Sequence, residues 1–151
     1  MGASALTREA VFAYAKEQFG TEPEHLWASD PGAAVLRHAG SRKWYALVME
    51  VRRERLGLPG AGCVWVMDVK CDPALVGALR TRAGFLPAYH MNKDRWVSLL
   101  LDGAVGCAEG LQLLDMSYAL AAPKLKKASR KANTDKQATE GTGNEKSNRD
   151  R

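Results

Sequence analysis

Cysteine and histidine are scarce in this sequence and badly spaced for chemistry. Cys63, Cys71 and Cys107 are an odd number with no C-x-x-C interval, and His25, His38 and His90 stand at no metal-ligand distance from them along the chain. A disulfide framework and a zinc site are therefore not expected, nor is any metal or cofactor. The thiols read as small reduced hydrophobes, with Cys71, between Lys70 and Asp72, the one to test for reactivity. Long apolar runs are missing too: nothing approaches the ~20 uninterrupted apolar residues of a membrane helix. Met1 to Leu6 has no charged stretch leading into an apolar one, so no secretory signal is expected. Met1-Gly2 lacks the Ser or Thr that a myristoylation start wants at the sixth position, where Leu6 stands. The expected location is cytoplasmic, with no membrane partner. Catalytic signatures are absent as well: there is no G-x-S-x-G, P-loop, H-E-x-x-H or paired-carboxylate pattern, so no catalytic residue is assigned and no enzyme is expected.

What is present is enough for one domain. The chain has 151 residues, 46% of them hydrophobic, with four Trp, four Tyr and three Phe to fill a core. Its charge is unevenly spread. Residues 1–122 hold 13 Lys+Arg and 13 Asp+Glu; residues 123–151 hold nine and four, so the entire net charge of +5 lies in the C-terminal segment. That segment has no aromatic residue, and its only apolar side chains are Leu125 and three Ala. It cannot bury enough surface to offset the entropy of ordering and is expected to be a disordered basic tail over 123–151. Lys124, Lys126, Lys127, Arg130 and Lys131 crowd its first part. They read either as a nucleic-acid-binding arm or as a solubilising extension.

Within residues 1–122, helical spacing of Val11, Phe12, Ala15 and Phe19 predicts a helix over Ser4–Phe19, closed by Gly20. Strands are expected at Ala33–Ala39, Lys43–Val51 and Cys63–Lys70, the last with Trp65, Met67 and Val69 on one face. Asp72-Pro73 opens a second helix running to about Ala83, with Val76 and Leu79 inward. Phe85–Tyr89 is a short strand that Pro87 confines to a sheet edge, and Trp96–Leu101 is another. A last helix over Ala108–Ala122 is stopped by Pro123. The order α-β-β-β-α-β-β-α, with short connections, predicts an α+β fold: an antiparallel sheet with helices on one face, a two-layer sandwich whose other face is open to solvent or a partner.

Three stretches then stand together. Pro87-Ala88-Tyr89-His90-Met91-Asn92-Lys93-Asp94-Arg95-Trp96 is preceded by Gly40-Ser41-Arg42-Lys43-Trp44-Tyr45-Ala46 and followed by Ser117-Tyr118-Ala119-Leu120. In this order and spacing they resemble the MmcQ/YjbR family over about residues 5–127. The resemblance implies a CyaY-like or secretion-chaperone-like sandwich with double-wing character, and a DNA-binding protein with no enzymatic activity. Two features depart from the family pattern: Pro123 comes early after the last helix, and the extension beyond Arg130 is additional.

The candidate contacts are basic turns. Arg42 and Lys43 stand at a hairpin, Arg52, Arg53 and Arg55 in the next loop, and His90, Asn92, Lys93 and Arg95 in the turn before the Trp96 strand. Hairpin tips bearing Arg can hold a duplex by its phosphates. The competing reading of the last turn is structural: Asn92 tolerates a left-handed backbone and bonds its own main chain, His90 donates to a carbonyl, and Trp96 is core. The competing function is a chaperone-like module that offers its open sheet face to a protein partner.

Overall fold

Thr7 caps the first helix: its hydroxyl accepts the Ala10 N–H at 3.0 Å, so α1 spans Arg8–Phe19 rather than starting at Ser4. Gly20 closes it at φ 68°. The computed structural model describes residues 5–124. The expected disordered tail from residue 125 onward, with Lys126, Lys127, Arg130 and Lys131, lies outside them, as does Ser4. The other elements are β1 (Ala34–Arg37), β2 (Trp44–Arg52), β3 (Cys63–Lys70), α2 (Pro73–Leu79), β4 (Phe85–Pro87), β5 (Trp96–Leu100) and α3 (Cys107–Ala121), with a 3-10 turn at Arg53–Leu56. The protein is an α+β sandwich, and the expected order of elements holds. Three further elements are shorter than expected, among them β4, which stops at Pro87 rather than Tyr89. β1 ends at Arg37 because His38 Nδ1 accepts the Gly40 N–H at 2.9 Å and starts the turn. α2 ends at Leu79, where turns lead into Gly84 at φ 90°.

All five strands pair antiparallel in the order β1-β2-β3-β5-β4. The β4–β5 pair enters with β5 against β3, which leaves β4 and its Pro87 on the edge, where a residue without an N–H costs no ladder bond. Between β1 and β2 the register pairs Leu36 with Ala46 and Arg37 with Trp44, so Tyr45 is the extra residue of a bulge. The bulge sends Tyr45 to the helix side with Ala46 and Val48, and leaves Trp44 opposite with Leu47 and Met49.

The helix side is the main core. Val11 and Ala15 of α1, Val76 and Leu79 of α2, and Leu114 and Ala121 of α3 meet Leu36, Val48, Met67, Val69, Val97 and Leu99 of the sheet. Ser117 of α3 ties helix to sheet: its hydroxyl donates to the Tyr45 carbonyl at 2.5 Å and accepts the Lys70 N–H at 2.8 Å. Tyr118 stacks between Phe19 (3.9 Å) and His38 (4.1 Å). At the far end of α3, the Ser41 hydroxyl donates to the Ala121 carbonyl at 2.6 Å, seating the helix terminus on the β1–β2 turn.

The second face of the sheet is not open. Val35, Leu47, Met49, Val51, Val64, Val66 and Leu100 form a second buried cluster there, covered by Trp27, Trp44, Leu56, Leu58, Leu86, Tyr89 and Met91. Loops, the 3-10 turn and two strand residues, rather than α-helices, supply this cover, which is why helical periodicity does not reveal it. The expectation of a bare sheet face waiting for a protein partner is corrected accordingly. Among the described residues no helix is long and apolar enough to cross a membrane.

Candidate nucleic-acid interface

The segment Ala88–Arg95 is a strap across the second face, not a projecting wing. The Tyr89 N–H is held by the Ser98 hydroxyl of β5 at 3.0 Å. Asn92 Oδ1 accepts the Asp94 N–H at 2.8 Å, the local side-chain-to-backbone turn that Asn favours. The Arg95 carbonyl takes the Cys71 N–H at 2.8 Å. The left-handed residue is His90, at φ 68°, rather than Asn92. That backbone is uncommon for a residue with a Cβ. It leaves the His90 side chain exposed, with its ring 4.0 Å from that of Tyr89.

The basic residues divide between two ends of the sheet. Arg42–Lys43 precedes β2, whereas Arg52 ends it and Arg53–Arg55 follow. Nine strand residues place the two groups about 26 Å apart. Several of these cations are already engaged. Arg42 pairs with Glu24 at 3.3 Å, Arg52 with Glu54 at 3.2 Å, and Arg53 Nε donates to the Pro59 carbonyl at 2.7 Å. Arg55 lies near the Tyr89 phenol and then Glu54, both of which raise its pKa.

The start of β2 is different. Lys70, at the end of β3, lies opposite Trp96 in the β3–β5 register, its ammonium 5.0 Å from the ring centroid. Its pKa is lowered, first by burial and then by the charges of Lys43 and Arg95. Lys43, Lys70 and Arg95 are thus three cations within each other's field, and none of them forms an ion pair with an acid among the described residues. Leu120 of α3 shares the recess formed by Lys70, Cys71, Asp72 and Arg95, and Pro123 beyond the helix lies against Gly40 of the β1–β2 turn. Lys70 is absent from the residues singled out on sequence. Only the β3–β5 pairing brings it to Trp96, although its place at the end of an alternating strand was legible.

Further along the second face lies a groove of about 380 Å³, lined by Trp27, Trp44, Leu47, Met49, His90 and Met91 with Ser29 and Asp30 at its rim. Trp27 and Trp44 meet edge to face, with centroids 6.0 Å apart. A recess of about 210 Å³ shares Asp30, Met49 and His90 with the groove and reaches Arg52, Arg55 and Tyr89.

Beneath the strap, Asp68 of β3 is fully buried beside Ser98, whose hydroxyl donates to its Oδ1. Asp68 Oδ2 has no partner. Burial pushes this carboxyl up to about 7, against the lowering effects of the Ser98 hydrogen bond and the Lys93 charge. Lys93 is exposed, and its backbone carbonyl accepts from Arg80 at 3.3 Å. Trp96 is 7% exposed, a core residue as expected. Cys71 is buried and its thiol pKa raised by that burial, the opposite of an activated cysteine.

Comparison with known proteins agrees with this architecture. Residues 17–120 match the YjbR family. The uncharacterized protein YyaQ of Bacillus subtilis (strain 168) is 40% identical over 115 residues, which is 76% of this chain and 98% of YyaQ. A crystal structure of a protein from Pseudomonas syringae superposes with a TM-score of 0.75 at 41% identity, covering 78% of this chain and all of the other. The crystal structure of Deinococcus radiodurans protein DR2400, a DUF419 domain, superposes at 0.61 with 25% identity over 83% of this chain and 86% of that one. The chain belongs to the YjbR family.

Proposed function

We propose that this chain is a non-enzymatic DNA-binding protein of the cytoplasm that grips backbone phosphates at one end of its sheet. Lys43, Lys70 and Arg95 form the folded part of the grip, and the basic segment from Lys124 through Lys131 extends it. The supporting observation is Lys70, its ammonium over the Trp96 ring and in the field of Lys43 and Arg95, none of the three forming an ion pair with an acid among the described residues. Like charges held together raise the free energy of the unbound fold, and a phosphate backbone relieves that repulsion. Arg42, Arg52 and Arg53, committed to Glu24, Glu54 and a carbonyl, are secondary to it. His90, Asn92 and Lys93 act by shaping the strap rather than by reaching a duplex. The three cysteines, all unpaired, suit a reducing compartment.

The test is a fluorescence-anisotropy titration of a short labelled duplex at several salt concentrations. The expected result is binding at low salt that weakens linearly in log K against log salt, with a smaller slope when Lys70 and Arg95 are both replaced by Gln. Absence of binding at low salt overturns the proposal.

A further inference from the structure

We infer that the Trp27–Trp44 groove receives an unpaired base of single-stranded DNA whose phosphates lie on the neighbouring cations. This deepens the DNA-binding reading above and rests on it. The groove holds about 380 Å³, and its walls are aromatic and thioether groups over a floor that includes Leu47. Trp27 and Trp44 are both only half-buried, so each keeps ring surface free while their edge-to-face contact fixes their angle at 86°. Any base can stack on such a surface, since every base has a π-face.

His90 supplies the third ring. It is exposed and lines both the groove and the adjoining recess. A left-handed backbone at a residue other than Gly is retained only where its surroundings hold it in place. Here it keeps an imidazole at the junction of the two recesses. Ser29 and Asp30 at the rim offer a hydroxyl and a carboxylate to the polar edge of a base.

The flanking charge selects the occupant. Lys43 directly precedes Trp44 in the chain and belongs with Lys70 and Arg95 on one side. On the other side the recess carries Arg52 and Arg55 together with Asp30 and Glu50, so its charges balance. A hydrophobic groove beside one cationic patch matches an unpaired nucleotide, with its base inserted and its phosphates running toward Lys43, Lys70 and Arg95. A duplex keeps its bases stacked inside and offers the groove only their edges. An apolar protein segment would fill the groove but leave the cations unanswered.

The experiment compares three labelled strands of equal length on the full chain at low salt: oligothymidylate, an abasic strand with the same phosphates, and oligouridylate. Oligothymidylate is expected to bind on the order of ten-fold more tightly than the abasic strand, as one stacked base would give. Trp27→Leu and His90→Asn should shrink that advantage and leave abasic binding unchanged; Asn tolerates the left-handed backbone. Thermal melting confirms that each variant folds, and if Trp27→Leu does not, the comparison on the unaltered chain together with His90→Asn decides. Equal affinity for thymidylate and abasic strands overturns the inference while leaving phosphate binding standing. An advantage that survives both folded variants moves the base out of this groove and overturns it too. Tighter binding of oligouridylate overturns the assignment to DNA. No binding of any strand overturns the DNA-binding reading itself.

Discussion

Ser98 stands between Asp68 and the strap: its hydroxyl donates to the Asp68 carboxylate on the neighbouring strand and accepts the Tyr89 N–H at 3.0 Å. This one side chain couples a buried ionisable group in the centre of the sheet to the segment that covers the second face. The coupling makes the covered face sensitive to the proton on Asp68.

The folded carboxyl titrates near 7 and its ordinary value is 3.8. Between those pH values the folded state binds more protons than the unfolded one, so stability falls as pH rises across the window and is flat above it. The total is about 4 kcal/mol. Asp68→Asn removes the charge, and urea denaturation should then show little pH dependence between about pH 4 and 7 and a higher midpoint at pH 8 than the unaltered chain. A midpoint at pH 8 that drops on this substitution would show that the ionised carboxylate stabilises the fold.

Lys70 is placed at a cost to stability. Its pKa is lowered by burial, Lys43 and Arg95, so the folded chain releases this proton more readily than the unfolded one, and stability rises as pH climbs through the lowered value toward the ordinary 10.5. Lys70→Met keeps the stem over Trp96 and removes the charge. The expected outcome is a higher melting temperature together with a salt slope smaller by about 0.9 in duplex binding. Calorimetry and anisotropy on the same sample read both halves; a lower melting temperature would mean that the ammonium–ring contact outweighs the repulsion.

Ser117→Ala should destabilise the fold while removing no charge from the proposed interface. It leaves the Tyr45 carbonyl at the bulge and the Lys70 N–H without their hydroxyl partner. Each buried group left unpaired costs about 1–3 kcal/mol. Chemical denaturation checks the magnitude, and a loss below about 0.5 kcal/mol would mean that water or a shift of α3 replaces the bonds.

Trp96→Ala removes a large side chain only 7% exposed and should cost about 3–5 kcal/mol. If the melting temperature instead stayed constant while nucleic-acid binding vanished, Trp96 would be a binding surface and not core.

Ending the chain after Lys124 removes eight Lys+Arg and four Asp+Glu, a net charge of +4. Both described core clusters draw only on residues from Leu6 to Ala121, so the shortened chain is expected to fold as before. Its salt slope on duplex DNA should fall by several units, and its low-salt affinity with it. An unchanged slope would place the whole electrostatic grip on Lys43, Lys70 and Arg95.

The sequence by itself determined the elements. Helical spacing around Val11 and Ala15, alternation through β2 and β3, and Asp72-Pro73 at the head of α2 are local signals, written in neighbouring residues and governed by local sterics and hydrogen bonding. Pro87 likewise announced an edge strand, since a missing N–H is a property of the residue alone. Tertiary structure alone decided the pairing of β5 with β3, the bulge that turns Tyr45 away from Trp44, and the strap over the second face. Each depends on which distant segments win one another's hydrogen bonds and apolar surface. The basic turns at Arg42–Lys43 and Arg52–Arg55 stand at opposite ends of β2. Lys70, which no local pattern marks, joins Lys43 and Arg95 across three strands.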